Sequence, residues 1–197
     1  MGEAYKIEGD TIVINRELNE LDLFVKDFLD MFKKFTNYLL VSGYVSITSG
    51  RSRATEDVDI LFPVLDKSKF SELFNCLIKN GFWCYQGDTA EDVYTYIKSM
   101  DSIRFARNGE VFPNMECIPV NSSKKAQFFE LNNPQKAKVK DFEFLIPPIE
   151  FEILYKEIRL KSEKDIEDAR HLRNVFAEIL SEEKFNKYKH IIGDKNE

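Results

Sequence analysis

Two aspartates stand two residues apart, Asp57 and Asp59, in the run Asp57-Val58-Asp59-Ile60-Leu61-Phe62. In an extended strand, residues i and i+2 project to the same face. The two carboxylates therefore lie side by side while Val58 and Ile60 enter a core. Like charges that close repel, and a divalent cation is the usual counter-charge. Magnesium takes carboxylate oxygens together with water and substrate phosphates. An isolated Asp-x-Asp is more plainly read as two solvated aspartates at a strand start, but the preceding residues shift the balance. The apolar run 37–45 is expected to be a buried strand and contains Ser42-Gly43, whose small side chains would let a phosphate approach the backbone. The stretch 48–55 (TSGRSRAT), with Arg51, Arg53 and Thr55, then runs straight into the carboxylate strand. Anion-binding and metal-binding groups are thus packed into one segment.

The elements that must position these groups are visible in the hydrophobic pattern. Glu8-Gly9-Asp10 separates two short strands of a hairpin. Leu18, Leu21, Val25, Phe28, Phe32 and Phe35 recur at helical spacing, and Asn19 with Asp22 predicts the helix start. Asp66 is expected to cap a helix presenting Phe70, Leu73, Phe74 and Leu77, ended at Asn80-Gly81. The run 82–85 reads as a strand, and Thr89 with Asp92 begins a short helix. Residues 102–107 and 115–120 alternate like strands, with Asn108-Gly109 predicted to make a tight hairpin turn between them. A short strand near 142–145, a helix after Pro147-Pro148, a helix from Ser162 and a last helix over 182–191 complete the chain. The expected fold class is α+β (mixed α/β): a small mixed β-sheet with flanking helices and a C-terminal helical extension. The expected division is 1–120 for the α/β core and 121–197 for a mainly helical extension packed on it.

Composition bounds the function. The chain has 197 residues, enough for one sizeable core or a domain plus a helical extension. Seventeen Phe and eight Tyr predict an aromatic core. No apolar run approaches the roughly 20 residues of a membrane helix, and the N-terminal residues lack a signal-peptide layout. Cys76, Cys84 and Cys117 have no metal-ligand spacing, and His171 and His190 lie far from them. Reduced thiols and a cytoplasmic location are expected, without zinc. The net charge of −6 argues against general nucleic-acid binding, which rests on phosphate neutralisation.

The segment 41–62 resembles the signature of nucleotidyltransferases of the DNA polymerase β superfamily: a small-residue pair, then an Asp-x-Asp strand flanked by apolar residues. The string Arg53-x-Thr55-x-Asp57-x-Asp59 is similar to the Arg-x-Thr-x-Asp-x-Asp branch, which includes stand-alone transferases and toxins of some toxin–antitoxin pairs. Where that family has Gly followed by Gly or Ser, this chain has Ser42-Gly43 and then Tyr44. The resemblance implies transfer of a nucleoside monophosphate from a nucleoside triphosphate to an acceptor hydroxyl, with pyrophosphate released and the acceptor unspecified. It implies two Mg²⁺ ions, with Mn²⁺ as the alternative metal, held by Asp57, Asp59 and a third carboxylate on a later strand. Ser42 and Gly43 would hold the β- and γ-phosphates, Arg53 would neutralise nearby charge, and Thr55 would belong to the same loop.

Glu116, in Met115-Glu116-Cys117-Ile118, is the candidate third carboxylate, because a charge among apolar strand positions needs a reason. The alternative is a solvent-facing position on an edge strand. Asp101, at a helix-to-strand junction, is the rival. By the resemblance Lys164 could approach the triphosphate. As a plain sequence, the Lys161–Asp165 and Lys164–Asp168 spacings read as pairs on a solvated helix face. The Ser42-Gly43-Tyr44 departure keeps two alternatives open: a non-catalytic nucleotidyltransferase-like binding or regulatory protein, and a toxin component.

Overall fold

Caps and periodicity set most element boundaries in the computed structural model, which describes residues 4–52 and 57–193. In chain order, the first half contains β1 (Tyr5–Glu8), β2 (Thr11–Ile14), α1 (Glu20–Phe32), β3 (Leu39–Leu40), α2 (Gly43–Thr48), β4 (Asp57–Pro63), α3 (Lys67–Lys79), β5 (Phe82–Cys84) and α4 (Ala90–Lys98). The second half contains β6 (Ile103–Arg107), β7 (Asn114–Val120), α5 (Lys125–Asn132), β8 (Gln135–Val139), β9 (Phe142–Ile146), α6 (Ile149–Tyr155), a π-helical turn (Lys156–Leu160), α7 (Glu163–Val175) and α8 (Glu182–Gly193). Two compact units are interleaved along the chain. One comprises Met1–Glu17, Leu39–Ala54 and Ser122–Glu197, the other Leu18–Tyr38 and Thr55–Asn121. This grouping joins the N-terminal hairpin and the stretch around Ser42 to the helical tail.

In the unit formed by Leu18–Tyr38 and Thr55–Asn121, the strand order is β4-β7-β6-β5. β4 and β7 are parallel, and the β7–β6 and β6–β5 pairs are antiparallel. Alternation sorts each strand into two faces. Val58, Ile60, Phe62, Met115, Cys117, Phe105 and Phe82 share the apolar one. α1 covers it with Phe28 against Phe82 and Phe105 and with Phe32 edge-on to Phe62. α3 adds Phe74 against Phe105. The predicted aromatic core is therefore real. α1 begins as expected: Asn19 accepts the Asp22 N–H, and the Asp22 carboxylate accepts the Asn19 N–H, at 2.9 and 2.8 Å.

In the other unit the sheet order is β1-β2-β8-β9, with β2 and β8 parallel and the flanking pairs antiparallel. Phe129, Phe151 and Tyr188 cluster where α5, α6 and α8 meet.

Two local expectations are corrected. The run 37–45 is a strand only at Leu39–Leu40. At Ser42 the backbone turns through φ 62°, ψ −127°, and Gly43–Thr48 is helical with Tyr44, Val45 and Ile47 buried. A short apolar run has no period that separates a strand from a buried helical turn. Asn108-Gly109 is likewise not a two-residue hairpin. The last paired residues of β6 and β7 are Ala106 and Asn114. Gly109, at φ 81°, serves a turn inside a longer loop closed by the Glu110 N–H on the Arg107 carbonyl. β5 and its extension hold that loop: the Trp83 indole N–H donates to the Glu110 carbonyl at 2.9 Å, and the Tyr85 hydroxyl donates to that of Val111. These contacts come from residues more than 20 positions away, beyond the reach of a turn motif.

Candidate functional site

The i,i+2 rule places Asp57 and Asp59 together, and the structure agrees. Both are partly exposed on one face of β4, while Val58 and Ile60 are fully buried on the other. Sheet register then selects their neighbours. Asp57 pairs with Asn114 and Asp59 with Glu116 on β7, and Glu116 pairs in turn with Arg104 on β6. Paired residues project to the same side, so Asp57, Asp59, Asn114, Glu116 and Arg104 make one polar patch on the face opposite the aromatic core. Trp83 and Tyr85, stacked at 4.4 Å, flank it on the β5 side.

Glu116 thus shares a face with the aspartate pair, as its candidacy requires. Its carboxylate, however, is engaged on both oxygens. The Ser102 hydroxyl donates to Oε1 at 2.6 Å, and the Arg104 guanidinium donates to Oε2 at 2.6 Å. Arg104 Nε also lies 4.0 Å from Asp57 Oδ1, which accepts from the Asn114 amide at 2.6 Å. The hydrogen bond to Glu116 raises the Arg104 pKa above its usual value. Burial opposes the rise, and the charges of Glu116, Asp57 and Asp59 add to it. Burial, followed by the Asp57 charge, pushes the Tyr85 phenol up as well. Asp101, the rival third carboxylate, is exposed at the α4–β6 junction.

The donor chemistry suits a hard divalent cation, with three carboxylates on one sheet face. Their present arrangement does not: among the described residues, no group of three or more His, Cys, Asp or Glu side chains converges to hold a metal ion. Glu116 faces Arg104 instead. The pair Asp57–Asp59 fits a shared ion; the third ligand fits only if Glu116 leaves its arginine.

The remaining candidates belong to the other unit or lie outside the described residues. Ser42 precedes α2 in a backbone conformation that glycine adopts most readily, and its side chain makes no capping hydrogen bond. Gly43 is the first, buried residue of α2. Tyr44 is fully buried against Phe144. Arg53 and Thr55 lie outside the described residues. Lys164 is exposed on α7.

The cation that sequence reasoning missed in the tail is Lys156. α6 and α7 are joined through the π-helical turn and Lys161, which has φ 60°. Ser162 and Asp165 restart the helix with a capping box. Asp165 and Asp168, three apart on α7, thereby meet Glu152 and Lys156, four apart across α6 and the turn. Lys156 Nζ, fully buried, lies 3.3 Å from Glu152, 3.2 Å from Asp168 and 3.6 Å from Asp165. Arg51 Nε sits 2.6 Å from the other Asp168 oxygen, and its Nη2 donates to Glu167 at 2.7 Å. Burial raises the Glu152 pKa, while Lys156 and the Ser42 main-chain N–H act against that rise. For Lys156, burial acts downward, but the carboxylates, Glu152 first, outweigh it and leave the pKa raised. His171 packs within 3.1 Å of the Ser49 hydroxyl, and burial lowers its pKa. A signal existed for Lys156: it lies one residue after the apolar Leu154-Tyr155, on the face that the helix buries.

No protein-family model matches the chain, and no curated protein matches it. Among solved structures, the lincomycin-bound crystal structure of the lincosamide antibiotic adenylyltransferase LnuA is similar in fold. The TM-score is 0.54 at 16% identity, over 81% of this chain and 99% of that one. Mixed α+β with small mixed sheets and flanking helices, the fold of this chain is nucleotidyltransferase-like.

Proposed function

We propose that this protein is a metal-dependent nucleotidyltransferase that moves a nucleoside monophosphate from a nucleoside triphosphate to an acceptor hydroxyl. The observation that carries the reading is the Asp57–Asp59 pair on one strand face, with Glu116 in register beside Asp59, in a nucleotidyltransferase-like fold. Asp57 and Asp59 would hold Mg²⁺ or Mn²⁺, which supplies electrophilic stabilisation of the phosphoryl oxygens in such reactions. Glu116, once released from Arg104, would accept the acceptor hydroxyl's proton or complete the ligand set. The phosphate-side roles of Ser42, Gly43, Arg53, Thr55 and Lys164 rest on the sequence resemblance alone. The adenylyltransferase activity of LnuA favours AMP transfer to a small molecule over modification of RNA, in line with the net charge of −6.

Each nucleoside triphosphate, labelled at the α-phosphate, is incubated with protein, Mg²⁺ and fractionated cell extract. Label entering a small-molecule fraction, and lost in Asp57→Asn and Asp59→Asn, supports the reading. Equal label with and without the aspartates contradicts it. The engagement of both Glu116 oxygens favours one second reading, a nucleotide-binding protein without catalysis. It predicts triphosphate binding with no pyrophosphate release.

A further inference from the structure

Arg104 stands where the carboxylate patch needs positive charge. Its backbone is pinned: the Arg104 N–H donates to the Gln86 side chain at 2.8 Å, and its carbonyl accepts the Tyr85 N–H at 2.9 Å. Its side chain remains 39% exposed. The guanidinium can therefore swing toward solvent on its flexible stem without disturbing β6. While it stays, it occupies Glu116 Oε2 and approaches Asp57, and no three carboxylates converge among the described residues.

We propose that Arg104 is the internal counter-ion of this site, exchanged for the divalent cation: it neutralises the carboxylates while the cation is absent and must leave Glu116 for the cation to be fully ligated. This inference rests on the metal-site reading above and adds to it a residue that sets metal affinity. A unit positive charge a few ångströms from an incoming cation opposes its binding. At a partly exposed site the effect corresponds to about tenfold in affinity. Removing the charge should tighten metal binding, whereas an arginine that merely scaffolds the site would weaken it when removed.

The test is Mn²⁺ binding without nucleotide, read from the loss of the free-ion electron paramagnetic resonance signal, in wild type and in Arg104→Gln, Arg104→Lys and Asp57→Asn. Thermal melting shows which variants are folded. The expected result is Mn²⁺ binding about tenfold tighter in Arg104→Gln, close to wild type in Arg104→Lys, and lost in Asp57→Asn. Equal or weaker binding in Arg104→Gln overturns the exchange, as does binding in Arg104→Lys as tight as in Arg104→Gln. In either case a loss in Asp57→Asn leaves the metal-site reading standing. If Asp57→Asn binds like wild type, or if no variant binds Mn²⁺, the metal-site reading falls and the exchange with it.

Discussion

Asp59 on β4 and Glu116 on β7 face one another in register on the same side of the sheet, yet Glu116 directs its carboxylate to Ser102 and Arg104. Adjacent strands run about 4.8 Å apart, so only a change of side-chain rotamer separates this arrangement from one in which both acids address a common cation. Either state leaves β4, β7 and β6 in place.

Ser42 offers a test of backbone strain. At φ 62°, ψ −127°, a side chain is disfavoured and glycine is not. Ser42→Gly is expected to raise the unfolding free energy by about 1 kcal/mol, measured by urea denaturation. A lower midpoint in the variant would show that the Ser42 hydroxyl contributes more than its conformation costs.

The buried charge cluster predicts a large loss on removing its centre. Lys156→Ala leaves Glu152, Asp165 and Asp168 short of a cation in a site that excludes water. The expected destabilisation is about 3–5 kcal/mol. Lys164→Ala on the exposed face of the same region should change stability by less than about 0.5 kcal/mol. Comparable losses in the two variants would contradict the burial argument.

Glu152 predicts a pH dependence. Burial holds its folded-state pKa above the ordinary 4.5. A raised folded pKa means that the folded state binds the proton more tightly. Its contribution is thus fully present below about pH 4.5 and declines as pH rises from there through the raised value. Glu152→Gln removes that decline. Chemical denaturation from pH 4.5 upward should show wild type losing stability relative to the variant over this interval. A constant difference between the two would contradict the assignment.

Thiol chemistry separates the three cysteines. Burial pushes Cys84 up to about 11 and Cys117 well above its usual value, whereas Cys76 is only partly buried on α3. Native protein treated with an aromatic disulfide reagent should release about one equivalent of chromophore quickly, and the remainder only in denaturant. Fast release of all three would mean that the sheet core opens readily.

Most of this fold was legible locally. Asn19, Asp66, Thr89 and Ser162 each accept the backbone N–H three residues on, as their types and positions predict. The aspartate pair needed only the two-residue period of a strand. What escaped was set by distant partners. The short helix after Ser42 depends on a turn made in a disfavoured conformation. β8 depends on parallel pairing with β2 across most of the chain. Arg104 carries no local signal, because its role comes from register with Glu116, twelve positions on. Lys156 was hidden because a lysine in a charged run is ordinarily solvated, and only the folding of α7 back onto α6 buries it.

The central claim is that Asp57 and Asp59 bind a nucleoside triphosphate through a divalent ion, and isothermal titration calorimetry addresses it directly. Each triphosphate is titrated into wild type, Asp57→Asn and Asp59→Asn, with Mg²⁺ and with a chelator. The account predicts saturable binding of at least one triphosphate to wild type with Mg²⁺, abolished by the chelator and weakened at least about tenfold in each variant, as expected when one carboxylate charge is removed from a partly exposed cation site. Binding that persists in the chelator or in both variants, or no binding to wild type with Mg²⁺, would contradict it.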